Sequence, residues 1–224
     1  MGKNRKQSNR PEDATQTPEQ KTARNLFQEY SEAFVVAVIL AILIRAFLVQ
    51  AFKIPSRSMV PTLLEGDHIL VSKFLYGVRI PFTDERWPRF TSPQRGDVIV
   101  FVFPREREKD FIKRVVAVEG DTVLIKDKQL YINGKEATDE AALHSDLSIR
   151  KNPGDPRDNF GPVKVPKDRL FVMGDNRDES LDSRFWGFVP VKDVKGEAFM
   201  IYYSRNHSRR LPGIRYDRLF SLIR

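Results

Sequence analysis

The chain has 224 residues, no cysteine and a formal net charge of +8, enough for one anchor and one domain of moderate size. The missing thiols exclude disulfides, thiolate nucleophiles and cysteine-ligated metals. The basic residues are spread along the chain rather than gathered in a stripe with interleaved aromatics, so nucleic acid is not the expected partner. A phospholipid surface and ordinary solvated charge both fit this pattern.

Residues 1–24 are polar and carry Lys3, Arg5, Lys6, Arg10, Lys21 and Arg24. Too few apolar side chains are present to bury a core, so an arm over 1–31 is expected to be disordered. The stretch 33–52, AFVVAVILAILIRAFLVQAF, is apolar on every face, interrupted only by Arg45 and Gln50. Its length at helical rise spans a bilayer core. A cleaved signal peptide would be shorter and end in a small-x-small site, whereas Phe52-Lys53-Ile54-Pro55 follows here. The sequence therefore predicts an uncleaved transmembrane anchor over 32–52, with Arg45 snorkelling to the interface. The basic arm places the N-terminus in the cytoplasm and residues 53–224 outside the cell membrane.

Directly after the anchor comes IPSRSMVPTL, residues 54–63, with Ser56 and Ser58 between Pro55 and Pro61. Proline fixes its own φ and extends the residue before it, so the two serines should sit on a stiff, non-helical path. Either a polar turn or a rigidly held nucleophile fits this stretch.

Beyond it the chain reads as β-rich. Apolar or alternating runs occur at 67–76, 97–103, 111–118, 121–125, 129–132, 169–173 and 197–203. Gly66-Asp67, Gly96-Asp97, Gly120-Asp121 and Asn133-Gly134 punctuate them as turns do. A short helical piece within 136–146 and a proline-rich surface excursion, about 136–166, are expected between the fifth and sixth runs.

In Phe111-Ile112-Lys113-Arg114-Val115-Val116 each face of a strand carries one cation among apolar neighbours. Only lysine can lose its proton when covered, because arginine stays charged. Lys113 is thus the candidate general base, unless both cations merely snorkel at an edge. The turn GDNRDESLDSRFWGFV, 174–189, pairs Asp182 with Arg184 and Asp178 with Arg177. Its acidic residues lack the spacing of a calcium loop, so no metal is expected. The histidines, His68, His144 and His207, do not sit in motifs that call for a Ser-His-Asp triad.

Taken in order after one anchor, IPSRSMVPTL, GDVIVFVFP with DFIKRVV, and GDNRDESLDSRFWGFV resemble the motifs of bacterial type I signal peptidases. The likeness also includes GDHILVSKF and covers nearly all of 46–203, though Arg57 stands where the family often has glycine. It implies a mostly antiparallel β fold shared with self-cleaving SOS repressors, and a serine–lysine dyad without cofactor. By resemblance Ser58 is the nucleophile and Lys113 the base. Ser56 and the Ser58 backbone N–H form the oxyanion hole, Ser180 orients the lysine, and Asp182 and Arg184 give structural support. Phe52, Ile54 and Ile112 line the substrate pocket. The implied substrates are exported preproteins cut after small residues at −1 and −3. The rivals are a specialised pilus or conjugation-protein peptidase of the same superfamily, and a non-enzymatic single-pass β-domain that binds exported proteins.

Overall fold

The computed structural model describes residues 18–43, 48–76, 91–152, 154–206 and 213–224. Residues 1–17 of the arm expected to be disordered over 1–31, together with Arg45 and His207, lie outside the described residues, and residues 18–31 of that arm are helical. The chain divides into two compact units, residues 1–43 and 44–224.

The described residues of the first unit form the helix α1 (Pro18–Leu43). Pro18 occupies its first turn, where a missing N–H costs nothing. Over 30–42 its side chains are exposed, including Phe34, Val35, Ile39 and Ile42. No described helix is long and apolar enough to cross a membrane.

The anchor expected to run to residue 52 does not: Val49–Lys53 is a strand, β1, antiparallel to β2 (Asp67–Ser72), with Phe52 opposite Ile69. The alternation of Phe52 and Ala51 explains it. Phe52 turns into the core while Ala51 faces out.

The strands that follow are β3 (Val98–Val102), β4 (Asp110–Ala117), β5 (Thr122–Lys126), β6 (Gln129–Ile132), β7 (Lys135–Glu136), β8 (Phe160–Lys164), β9 (Arg169–Met173), β10 (Val189–Pro190), β11 (Val194–Asn206), β12 (Gly213–Ile214) and β13 (Ser221–Leu222). A single helical turn, α2 (Ser183–Trp186), precedes β10. The larger sheet runs β1-β2-β11-β3-β4-β9-β10, with β12 and β13 also paired to β11. The smaller runs β7-β6-β5-β8. The strand pairings are antiparallel, so short turns suffice as connections. All seven expected runs become strands. Asn133-Gly134 makes the β6–β7 turn, both residues at positive φ (54° and 77°).

Two expectations about 136–166 fail. Residues 136–146 contain no helix; Leu143 pairs with Asn176 as an isolated bridge, and its N–H bonds the Asp175 carbonyl at 2.7 Å. Nor is the excursion wholly superficial. Phe160–Lys164 joins the small sheet as β8, and Arg157 and Asp158 are buried. Their charges are matched by pairing with each other, with Asp146 and with Lys128 from the β5–β6 turn, which lets a polar segment go inside.

Three apolar clusters fill the unit. Ile54, Met59, Leu63, Ile69 and Ile112 belong to the one beneath the serine loop. Phe101, Phe103, Val115 and Trp186 form the second, and Val123, Ile132, Phe171 and Met173 the third.

Candidate active site

Ser58 is held from three sides. Met59 and Leu63 are fully buried and sink the loop into the core, and the Leu63 N–H bonds the Met59 carbonyl at 2.8 Å. Ile54 exchanges backbone bonds with Asp67 and Gly66 at 2.8 and 3.0 Å, closing the loop at its base. The Asn176 N–H donates to the Ser58 carbonyl at 3.2 Å. The backbone of Ser58 is thereby fixed.

Lys113 reaches Ser58 from β4. Its Nζ lies 2.7 Å from Ser58 Oγ and 3.0 Å from the Ile112 carbonyl. The ammonium position is 5.5 Å from the Phe111 ring centroid. Lys113 is 4% exposed and Ser58 8%. Burial lowers the lysine pKa from 10.5 to about 8, with the Asp182 and Asp175 carboxylates pulling upward against it. Desolvation wins, and a usable fraction of neutral amine follows near neutral pH. Ser56 is exposed, with its Oγ 3.5 Å from Ser58 Oγ. It stands where a hydroxyl could meet charge developing on a bound carbonyl.

The third element is the turn after β9. Arg184 binds Asp182 in a fork, Nε to Oδ1 at 2.9 Å and Nη2 to Oδ2 at 2.8 Å, as the sequence led one to expect. Arg184 also donates to the carbonyls of Arg157 and Arg177 at 2.6 and 2.5 Å. Asp182 accepts from the Gly174 N–H at 3.1 Å.

A family model described as signal peptidase, peptidase S26, matches residues 27–203. The chain belongs to this signal peptidase family. Signal peptidase I of Pseudomonas fluorescens is 39% identical over 208 residues, covering 80% of this chain and 73% of the relative. Signal peptidase I of Aquifex aeolicus (strain VF5) is 38% identical over 224 residues, covering 75% and 81%. A crystal structure of a signal peptidase I from Enterococcus faecalis V583 is 33% identical and covers 48% of this chain and 97% of its own, at a TM-score of 0.39.

Within this signal peptidase-family chain, several expected contacts differ. Ser180 Oγ is buried and makes no hydrogen bond, so it does not hold the lysine amine; the Ile112 carbonyl takes that place. The Ser180 side chain is instead turned against Gly174, where an added Cβ would lie 2.3 Å from its Oγ. Asp178 does not pair with Arg177. Neighbouring residues in a tight turn point apart, and Arg177 binds Asp139 while Asp178 takes Lys128 at 2.5 Å. Of the three expected pocket residues, Ile54 and Ile112 are buried core members at 2% and 9% exposure. Phe52 is half-buried against them.

Sequence reading missed a second layer around the dyad. Arg114, next to Lys113 but on the opposite face of β4, grips Asp175 with Nε–Oδ1 at 2.8 Å and Nη2–Oδ2 at 2.7 Å. Asp175 also accepts from Thr62 Oγ1 at 2.5 Å. One buried ion pair thus ties the strand of Lys113, the loop of Ser58 and the turn after β9. Gly174 is equally tight, since its added Cβ would come 2.4 Å from the Ser58 carbonyl oxygen. The only signal in the sequence was the alternation that put Arg114 opposite Lys113.

Proposed function

We propose that this chain is a type I signal peptidase working through Ser58 and Lys113. The observation that carries the reading is the 2.7 Å contact between a buried lysine amine and a buried serine hydroxyl. Family membership and the signal peptidase I relatives support signal peptides of exported preproteins as the substrates.

Neutral Lys113 accepts the Ser58 proton as Oγ attacks the scissile carbonyl. The oxyanion that forms is met by the Ser58 N–H and the Ser56 hydroxyl. Protonated Lys113 then delivers its proton to the leaving amine, and the mature chain departs from an acyl-serine. A water, deprotonated by the same amine, hydrolyses the ester and restores Ser58. Asp175, Arg114 and Asp182 hold the two reacting side chains in register. Phe52 offers a partly open apolar wall for a small substrate side chain.

The apolar run that begins at Ala33 holds the enzyme at the cell membrane, with its catalytic unit on the outer side. The exposed apolar side chains of α1 support this placement. The test is incubation of a preprotein bearing an Ala-x-Ala site with wild type and Lys113→Ala. Mass spectrometry of the product should place the cut after the second alanine for wild type, with no product from the variant. A cut elsewhere, or equal cutting by the variant, would refute the assignment.

A further inference from the structure

A second set of buried charges lies outside the dyad. Lys128 occupies the two-residue turn Asp127–Lys128 between β5 and β6, where both residues have positive φ (48° and 73°). That backbone region favours glycine. The lysine there turns its side chain inward, leaving it 11% exposed. Its Nζ contacts Asp178 Oδ1 at 2.5 Å and Asp158 Oδ1 at 3.2 Å, and its N–H bonds the Asp158 carbonyl at 2.9 Å.

The other charged groups around it are few and identifiable. Arg157 forks Asp158 at 2.9 and 2.7 Å, reaches Asp146 at 2.8 Å, and lies 3.8 Å from Asp178. His144 Nδ1 is 3.7 Å from Asp178 and makes no hydrogen bond. The Asp146 N–H donates to Asp178 Oδ2 at 2.8 Å. Burial pushes the Asp178 carboxyl up, but Lys128 and the Asp146 N–H outweigh it and hold the pKa below its usual value. Lys128 is therefore the cation between two buried carboxylates, and its loss leaves them facing each other across Arg157.

Asp178 lies in the 3-10 turn Arg177–Glu179, immediately before Ser180 and Asp182. The same turn is tied to the excursion through Arg184, which binds the carbonyls of both Arg157 and Arg177. We propose that Lys128 is a positioning residue for the Ser58–Lys113 pair, acting through Asp178 on the turn that carries Ser180, Asp182 and Arg184. The proposal rests on the dyad reading. It also gives the excursion a role, since its buried residues 157 and 158 form the anvil against which the turn is set.

The consequence at the dyad has a direction. The dominant influence on Lys113 is its desolvation, and the Asp182 attraction is smaller. A loosened turn admits water first, so the acid limb of the rate profile moves to higher pH and kcat falls, while KM stays near wild type.

The test uses the full chain in detergent, with a preprotein substrate, and compares Lys128→Met, Lys128→Arg, Asp178→Asn and Ser58→Ala. Lys128→Met and Asp178→Asn are each expected to lose about 10²-fold in kcat, with the limb shifted upward and KM changed less than about threefold. Lys128→Arg, which keeps a cation between the carboxylates, is expected to recover most of the rate. Should Lys128→Met not fold, Asp178→Asn decides by the same two readouts. Wild-type kcat and limb in the folded variants, with only a lowered melting temperature, would overturn the proposal. So would failure of Lys128→Arg to recover activity beyond Lys128→Met. Ser58→Ala separates the two levels: its activity would overturn the dyad itself, whereas an inactive Ser58→Ala beside a fully active Lys128→Met overturns only the role of Lys128.

Discussion

Replacing Lys113 by methionine should make the protein inactive and, at neutral pH, more stable. Methionine matches the unbranched stem of the side chain and removes the charged amine. In the folded protein the lysine pKa falls from 10.5 to about 8, which at 1.36 kcal/mol per unit is a penalty of about 3 kcal/mol for carrying the charge. Methionine also forgoes the contacts with Ser58 Oγ and the Ile112 carbonyl, each worth about 1 kcal/mol. The net gain at pH 7 is about 1 kcal/mol, or a rise in melting temperature of roughly 2–4 °C for a chain of this size. The sign varies with pH in a defined way. A lysine with a lowered folded pKa binds fewer protons folded than unfolded between the two values, so its cost is full below about 8. The cost fades as pH rises toward 10.5 and is gone above it. Wild type should therefore gain stability relative to the variant across that window and overtake it within it, at about pH 9, where the remaining cost equals the two lost contacts. The assay is a paired set of thermal melts from pH 6 to 11 on the two proteins. A melting difference that does not change with pH, or a wild type that loses ground between 8 and 10.5, would refute a desolvated lysine.

Ser56→Ala should lower kcat by about 10²–10³-fold while leaving measurable cleavage, because the Ser58 N–H remains as a donor; steady-state kinetics would show it, and a wild-type rate would remove Ser56 from the oxyanion hole. Gly174→Ala should reduce both activity and stability, the latter by about 1–3 kcal/mol, since the new methyl meets Ser180 and the Ser58 backbone. Urea titration beside a cleavage assay checks it, and unaltered values in both would contradict the close approach. Asp175→Ala should cost about 3–5 kcal/mol by leaving the Arg114 guanidinium buried and unpaired. A urea midpoint equal to wild type would refute that.

The pairing of Ser58 with Lys113 was legible because the two residues sit in distinct motifs. Neither stretch decided by itself, since the serine between two prolines also fitted a polar turn and the lysine a snorkelling edge cation; the ordered motifs, by resemblance, joined them. The strands were legible for a local reason, alternation bounded by turns. What escaped depends on partners far along the chain. β1 was hidden because Val49–Phe52 continues an apolar run in which Gln50 is the one polar residue, and only pairing with β2 shows it to be a strand. Arg157 and Asp158 looked like solvated loop residues, since Lys128 and Asp178, which make their burial tolerable, lie 20 or more positions away. Asp178 was matched to Arg177 on adjacency alone, and the geometry of a 3-10 turn separates them. Ser180 was assigned by resemblance to a contact with Lys113, and its actual direction follows from the space above Gly174.

The central claim is that Ser58 Oγ is the attacking atom. The most direct measurement is processing of a signal-bearing preprotein by wild type and Ser58→Ala in the same detergent, with the fold of each checked by circular dichroism. A folded Ser58→Ala that yields no mature product is the expected result, because removal of the hydroxyl leaves Lys113 with nothing to activate. A folded Ser58→Ala that still releases mature protein at a comparable rate would contradict it.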